Sequence, residues 1–258
     1  MCRAVVLVCG LASLIWLSSA TISNVVSRVD ESHIRNTLEN FRRRMCYHDP
    51  NGLSQLEPLA LKEDVPLEVN NDIGKLKGYI RNVHISGLSN FDVDDVKFHV
   101  AGFEFTLNIS LPKVVVSGEY ASKGHIGELF NLDSEDKFEF ELHGVRLNTK
   151  GGFVFNNEKW ALDIVNLKPS IQNMVSKFQG LAQDDEANEF LNEVVSELTP
   201  KHLEKYVSSE FLEYIMRGIE KVGSDYFKSE TALGLVDLIT GETSLFPPIQ
   251  EEKACRIK

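Results

Sequence analysis

The chain has 258 residues, 43% of them hydrophobic and 25% charged, which is enough apolar material for one large domain or two small ones. A net charge of −11 and a pI of about 5.2 argue against a nucleic-acid partner, whose phosphates require clustered lysine and arginine. The same balance argues against electrostatic docking on anionic membranes and is read as solubility.

The first twenty residues have the layout of a secretory signal. Arg3 supplies a positive start. Residues 4–17 are apolar apart from Cys9, Gly10 and Ser13, and Ser18-Ser19-Ala20 supplies a cleavage site after Ala20. The run is shorter than the roughly 20 apolar residues of a membrane span, and no other stretch could span. The expectation is a secreted, extracellular protein without integral membrane association. Its parts are a signal (1–20), a single α+β domain (21–227) and a C-terminal extension (228–258). Cleavage removes Cys2 and Cys9 and leaves Cys46 and Cys255. In an oxidising compartment these two can form one disulfide; free thiols or pairing between chains are the alternatives.

Residues 30–45 are predicted to be helical, with Asp30 as N-cap and Ile34, Leu38, Phe41 and Met45 on one stripe. Pro50 and Asn51-Gly52 stop that helix. Residues 53–69, with Pro58 and Pro66, read as an extended connection. From Asp72 to about Leu167 the hydrophobic period becomes two. Strands are predicted over 73–85, 93–100, 103–111, 114–120, 137–148, 153–156 and 160–167, with turns at Gly87-Leu88-Ser89-Asn90 and Thr149-Lys150-Gly151-Gly152. Phe103, Phe105, Leu107, Ile109 and Leu111 alternate with polar residues. Pro112-Lys113 breaks the pattern, and Val114, Val116, Gly118 and Tyr120 resume it. This reads as a hairpin with one apolar and one wet face.

From Pro169 the pattern returns to helix. Ile171, Val175 and Phe178 form one short stripe, and Phe190, Leu191, Val194, Val195 and Leu198 form another. Thr199-Pro200 reads as the start of a last helix over 200–227, about 42 Å long at 1.5 Å per residue. A helix of that length needs an equally long apolar partner, such as the inner face of a curled sheet. Helix, then strands, then helices is an α+β order.

In order and spacing these segments resemble the arthropod takeout and haemolymph juvenile-hormone-binding family of the tubular lipid-binding superfamily. The resemblance rests on "GLSQLEPLALKE" at Gly52, "VHISGLSNFDVDDVKF" at Val83, and "FTLNISLPKVVVSGEYASKGHI" at Phe105 with its Gly118, Tyr120 and Gly124. It rests also on the C-terminal block "ANEFLNEVVSELTPKHLEKYVSSEFLEYIMRGIEKV". It covers roughly residues 45–227. It implies a long, highly curved antiparallel β-sheet wrapped around a long C-terminal α-helix. It also implies carriage of one small hydrophobic molecule in a tunnel between sheet and helix. Two features depart from the family. Its paired N-terminal cysteines are represented here by Cys46 alone, with Cys255 far away, and the tail after Phe227 is longer. The mite group 7 allergens are a related branch with few cysteines. Ligand identity does not carry over.

Under that resemblance the tunnel is lined by Phe103, Phe105, Leu107, Ile109, Val114, Val116, Tyr120, Phe138, Phe140, Leu142, Leu162, Ile164, Val194, Phe211 and Ile215. Residue by residue the rival reading is plain core. Against it stand 15 Phe beside 2 Trp and 6 Tyr, an apolar aromatic surface with few polar handles and suited to a hydrophobic guest. Tyr120, Gln172, Ser176 and Tyr214 are candidates to orient a polar head group. Asn108-Ile109-Ser110 is an N-glycosylation sequon, although it sits mid-strand. The seven histidines have no metal spacing, and no hydrolase, phosphate-loop or dinucleotide motif occurs. No metal, cofactor or catalytic residue is assigned, and oligomeric state is left open. The alternative to a carrier is an extracellular interaction or surface-active protein. Such a protein would meet microbial lipid or a partner through an apolar surface without a closed tunnel.

Overall fold

The computed structural model describes residues 31–47, 55–61, 64–71, 74–99, 102–126, 130–131, 133–156, 159–182 and 184–201, with 213, 216, 217, 219, 220, 224 and 255. The predicted signal, most of the predicted 200–227 helix and nearly all of the extension lie outside the described residues. The described elements are α1 (Glu31–Arg44), β1 (Leu59–Leu61), β2 (Val65–Asn71), β3 (Gly74–Ser86), a 3-10 turn (Leu88–Asn90), β4 (Asp92–His99), β5 (Glu104–Ile126), β6 (Phe130–Asn131), β7 (Ser134–Asn156), β8 (Lys159–Ser170), β9 (Asn173–Phe178) and α2 (Asp185–Lys201).

These nine described strands form one antiparallel sheet in the order β1-β3-β5-β7-β8. β2 lies beside β3, β4 and β6 beside β5, and β9 beside β7. β5 and β7, 23 residues each, pair from Glu104–Gly152 to Ser122–Ser134. Straight strands of that length would extend roughly 76 Å at 3.3 Å per residue. A chain of this size packs into a body about 47 Å across, so the sheet has to curve. Each long strand has two shorter neighbours in succession on its outer side. β4 and then β3 follow β5, while β9 and then β8 follow β7.

No hairpin forms at Pro112; β5 continues through it without a break. Leu111 and Val114 are both buried, with Pro112 and Lys113 both exposed between them. The inward alternation therefore changes parity. β7 repeats the change opposite: Val145 and Leu142 turn into the same apolar cluster, and between them Gly144 takes φ +60°. Proline has no N–H for the ladder, and a left-handed residue favours glycine, so this pair marks a kink in two continuous strands. Thr149–Gly152 likewise belongs to β7 instead of a turn. The irregularity there lies in β8, where Val165 is skipped between the pairs Lys150–Asn166 and Gly151–Ile164 and stands 72% exposed, a β-bulge. The predicted turn at Gly87 is present. Gly87 has φ +91°, and the Glu57 carboxylate accepts the Gly87 and Ser89 N–H groups at 2.9 and 2.8 Å.

Three further expectations are corrected. The connection over 53–69 contains β1 and β2, whose registers are fixed by β3. Residues 173–178 form β9, with Met174 and Ser176 buried and Val175 turned outward. Thr199-Pro200 does not start a helix, because α2 runs through both to Lys201. Its start is at Asp184, whose Oδ1 accepts the Ala187 N–H at 2.9 Å.

Two buried clusters fill the inner face. Leu38, Phe41 and Met45 of the α1 stripe pack on Phe91, Leu111, Val114 and Val145. Arg42 lies over the Phe91 ring at 4.6 Å and donates to the Phe91 carbonyl, while Arg35 donates to that of Val93. Cys46 and Cys255 are joined as a disulfide beside this cluster, and the Cys255 N–H donates to the Arg43 carbonyl at 2.9 Å. The second cluster gathers Val83, Tyr120, Phe138, Leu181 and Leu191.

Candidate ligand-binding face

The sequence-derived lining residues fall along the inner face in three groups. Ile109, Val114, Val116 and Leu142 belong to the cluster under α1. Tyr120, Phe138 and Phe140 belong to the second cluster, where Phe178 joins them with ring centroids 5.0 to 5.9 Å away. Phe103 and Phe105 belong to a third, purely aromatic group at the other end of the sheet. There Phe103 lies 5.1 Å from Trp160, Phe155 lies 5.2 Å from Trp160, Phe105 lies 6.0 Å from Phe153, and Phe98 lies 6.5 Å from Phe103. Ile164 is buried; Leu107, Leu162 and Val194 are half-buried. Phe211, Ile215 and Tyr214 lie outside the described residues.

Register explains why the rings meet. Phe98 pairs with Phe105, Phe105 with Gly151 and Gly151 with Ile164, while Phe155 pairs with Trp160. Gly151 supplies the space. A Cβ there would lie 2.8 Å from the Phe105 ring and 2.6 Å from the Asp163 carbonyl.

The polar candidates are committed elsewhere. The Tyr120 hydroxyl donates to the Gln179 carbonyl at 2.6 Å and lies 3.0 Å from Ser134 Oγ. Burial raises its pKa. The Ser176 hydroxyl donates to Asn192 Oδ1 at 2.9 Å. Gln172 is exposed. Reading the sequence missed Trp160, which is 6% exposed and whose indole N–H has no hydrogen-bond partner among the described residues. The available signal was its position at the head of a strand whose inward face is otherwise aliphatic.

Helices line the outer edge of β9 and β8. Asn188, Asn192 and Ser196 form an i, i+4, i+8 stripe on α2. Asn192 Oδ1 accepts the Phe178 N–H at 2.6 Å and its Nδ2 donates to the Phe178 carbonyl at 3.0 Å. Ser196 Oγ accepts the Ser176 N–H at 2.8 Å. Further along the chain, helical Glu220 and Ser224 accept the Ile164 and Leu162 N–H groups at 2.9 and 3.0 Å. Helical side chains thus take the bonds that a further strand would make.

The outer face is charged. Lys177 bridges Glu139 and Glu141, Lys113 also reaches Glu141, and Arg81 meets Glu119. Hydrogen bonds from Lys113 and then Lys177 pull the Glu141 pKa down to about 2. A hollow of about 430 Å³ opens here beside Glu119, Lys137, Glu139 and Lys177, a poor site for a hydrophobe. Asn108 lies in β5 between Asp95 of β4 and Asn148 of β7. Among the described residues no group of His, Cys, Asp and Glu could hold a metal, and no helix is long and apolar enough to cross a membrane.

The fold is that of the takeout proteins. The crystal structure of Takeout 1 from Epiphyas postvittana matches with a TM-score of 0.60 and 12% identity, covering 74% of this chain and 89% of that one. A lipopolysaccharide binding protein structure also matches at 12% identity, over 73% of this chain and 40% of that one, with a TM-score of 0.29. No match is found among curated proteins. The sequence profile of the haemolymph juvenile hormone binding protein family matches residues 4–228, and the chain belongs to that family.

Proposed function

We propose that this protein is a secreted, non-enzymatic carrier of one small hydrophobic molecule, held along the inner face of the sheet. The observation that carries the reading is the aromatic group at the start of β5 and β8. Phe98, Phe103, Phe105, Phe153 and Phe155 bring five rings without a polar atom to one face, in a chain of a family named for binding a hormone. Withdrawing a few hundred Å² of ligand surface from water at about 25 cal/mol per Å² yields several kcal/mol before ordering costs. The proposed lining is Phe103, Phe105, Leu107, Leu162 and Ile164, continuing toward Val116 and Phe140, with Val194, Phe211 and Ile215 on the helical side. Asn108 is proposed as a glycan site on the opposite, wet face.

The test is native mass spectrometry of the secreted protein from a eukaryotic host, before and after organic extraction. A discrete extractable mass of a few hundred daltons is expected. A protein that leaves the host empty and takes up no added fatty acid or terpenoid would overturn the carrier reading. The interaction alternative would then stand.

A further inference from the structure

Three irregularities meet at the head of β8. The Trp160 indole N–H is buried without a hydrogen-bond partner among the described residues. Buried indoles ordinarily find a partner, because leaving a donor unmade forfeits its hydration. Phe103, whose ring lies 5.1 Å from the indole, has φ +51°, a left-handed backbone that a bulky side chain rarely adopts. Strain of that kind persists where the surroundings over-determine it, and it gathers at ligand clamps. Phe155, whose ring lies 5.2 Å from the indole, is 57% exposed, although it is one of the largest apolar side chains. A tilted ring offers an N–H only a weak acceptor. An unpartnered donor thus belongs to an indole flanked by two phenylalanine rings, one of which is largely exposed to solvent.

We propose that the Trp160 N–H donates a hydrogen bond to an oxygen of the bound molecule, so that the ligand class is an oxygenated hydrophobe of the acid, ester or ketone type and its polar end lies between Phe103 and Phe155. This deepens the carrier reading above and rests on it. The apolar tail then lies along the phenylalanines toward Phe105 and Phe153. The indole selects a ligand with an acceptor over a hydrocarbon of the same length, because a bare hydrocarbon leaves the donor orphaned.

Trp16 and Trp160 are the two tryptophans of the chain. Secreted protein carrying Trp16→Phe therefore has Trp160 as its sole indole, whether or not the first twenty residues are removed. With ¹⁵N-labelled tryptophan, its single indole N–H resonance is followed during titration with hexadecanoic acid, methyl hexadecanoate and hexadecane. The acid and the ester are expected to move the indole proton downfield. Hexadecane is expected to bind without that shift. In Trp160→Phe, affinity for the acid and ester should fall about five-fold, the worth of one net hydrogen bond, while affinity for hexadecane stays within two-fold. An indole that responds alike to all three, or a variant that weakens all three alike, would make Trp160 a packing residue and overturn the proposal while leaving the carrier intact. Uptake of none of them would overturn both.

Discussion

The two ends of the inner face differ in how completely they are wired. At the β9 end the polar groups that meet the α2 edge are paired. Asn192 alone engages the Phe178 N–H and carbonyl, the Ser176 hydroxyl and the Asn188 carbonyl, and the Tyr120 hydroxyl is held by Gln179 and Ser134. At the β8 end a donor has no partner among the described residues, a phenylalanine is strained and another is exposed. A fold that satisfies one end so fully has the means to satisfy the other. The difference separates the part of the face that holds the protein together from the part proposed above to receive a guest.

The contrast can be broken most forcefully at Asn192. Asn192→Ala orphans the half-buried Phe178 N–H and the buried Ser176 hydroxyl and should cost about 2–3 kcal/mol of stability, read from chemical denaturation, with little change in ligand preference once the protein is folded. A loss below 0.5 kcal/mol would mean that water replaces the amide freely. At the other end, Gly151→Ala pushes a methyl into the Phe105 ring and the Asp163 carbonyl. A cost of about 1–3 kcal/mol is expected, here accompanied by weaker fatty-acid uptake in a fluorescent-probe displacement assay. Stability loss without an uptake defect would place Phe105 in plain core. Phe155→Ala should change stability by no more than about 0.5 kcal/mol, as surface positions do, yet alter dissociation of bound fatty acid. An unchanged off-rate in stopped flow would remove Phe155 from the site. The smallest effect lies on the outer face. The depressed pKa of Glu141 contributes stability above its ordinary 4.5, and that contribution is lost as pH falls toward about 2. Glu141→Gln should therefore lower the melting temperature slightly at neutral pH, and its deficit against the parent protein should close as pH falls from 4.5 toward about 2, which flattens the acid limb of a thermal-melt series. Identical acid limbs would show that solvent screens the lysine contacts completely.

The takeout-like architecture and the inward faces of the long strands were legible from period-two patterning joined to the family resemblance. The kink at Pro112–Gly144 was not. A proline together with a change of parity reads as a turn when one strand is seen alone, and only the matching change at Leu142 and Val145 reveals a bend in two paired strands. Residues 171–178 fit two periods at once. Ile171, Val175 and Phe178 suit a helix, while Met174, Ser176 and Phe178 suit a strand, and pairing with Phe138–His143 decides for the strand. With that strand misread, the Asn188-Asn192-Ser196 stripe had no visible partner. Trp160 escaped because sequence shows which side chains are polar but not which polar atoms are left over.

The disulfide joins residues 209 positions apart in sequence, so the stretch from Cys46 to Cys255, which contains every strand of the sheet described above, is a covalent ring. A peptide bond cut anywhere inside it opens the ring without releasing a fragment. The two pieces remain one molecule until the sulfurs are reduced. The secretion proposed above would put the protein where proteases are common and reductants scarce, and there a nicked copy would keep its parts, and the proposed guest, together.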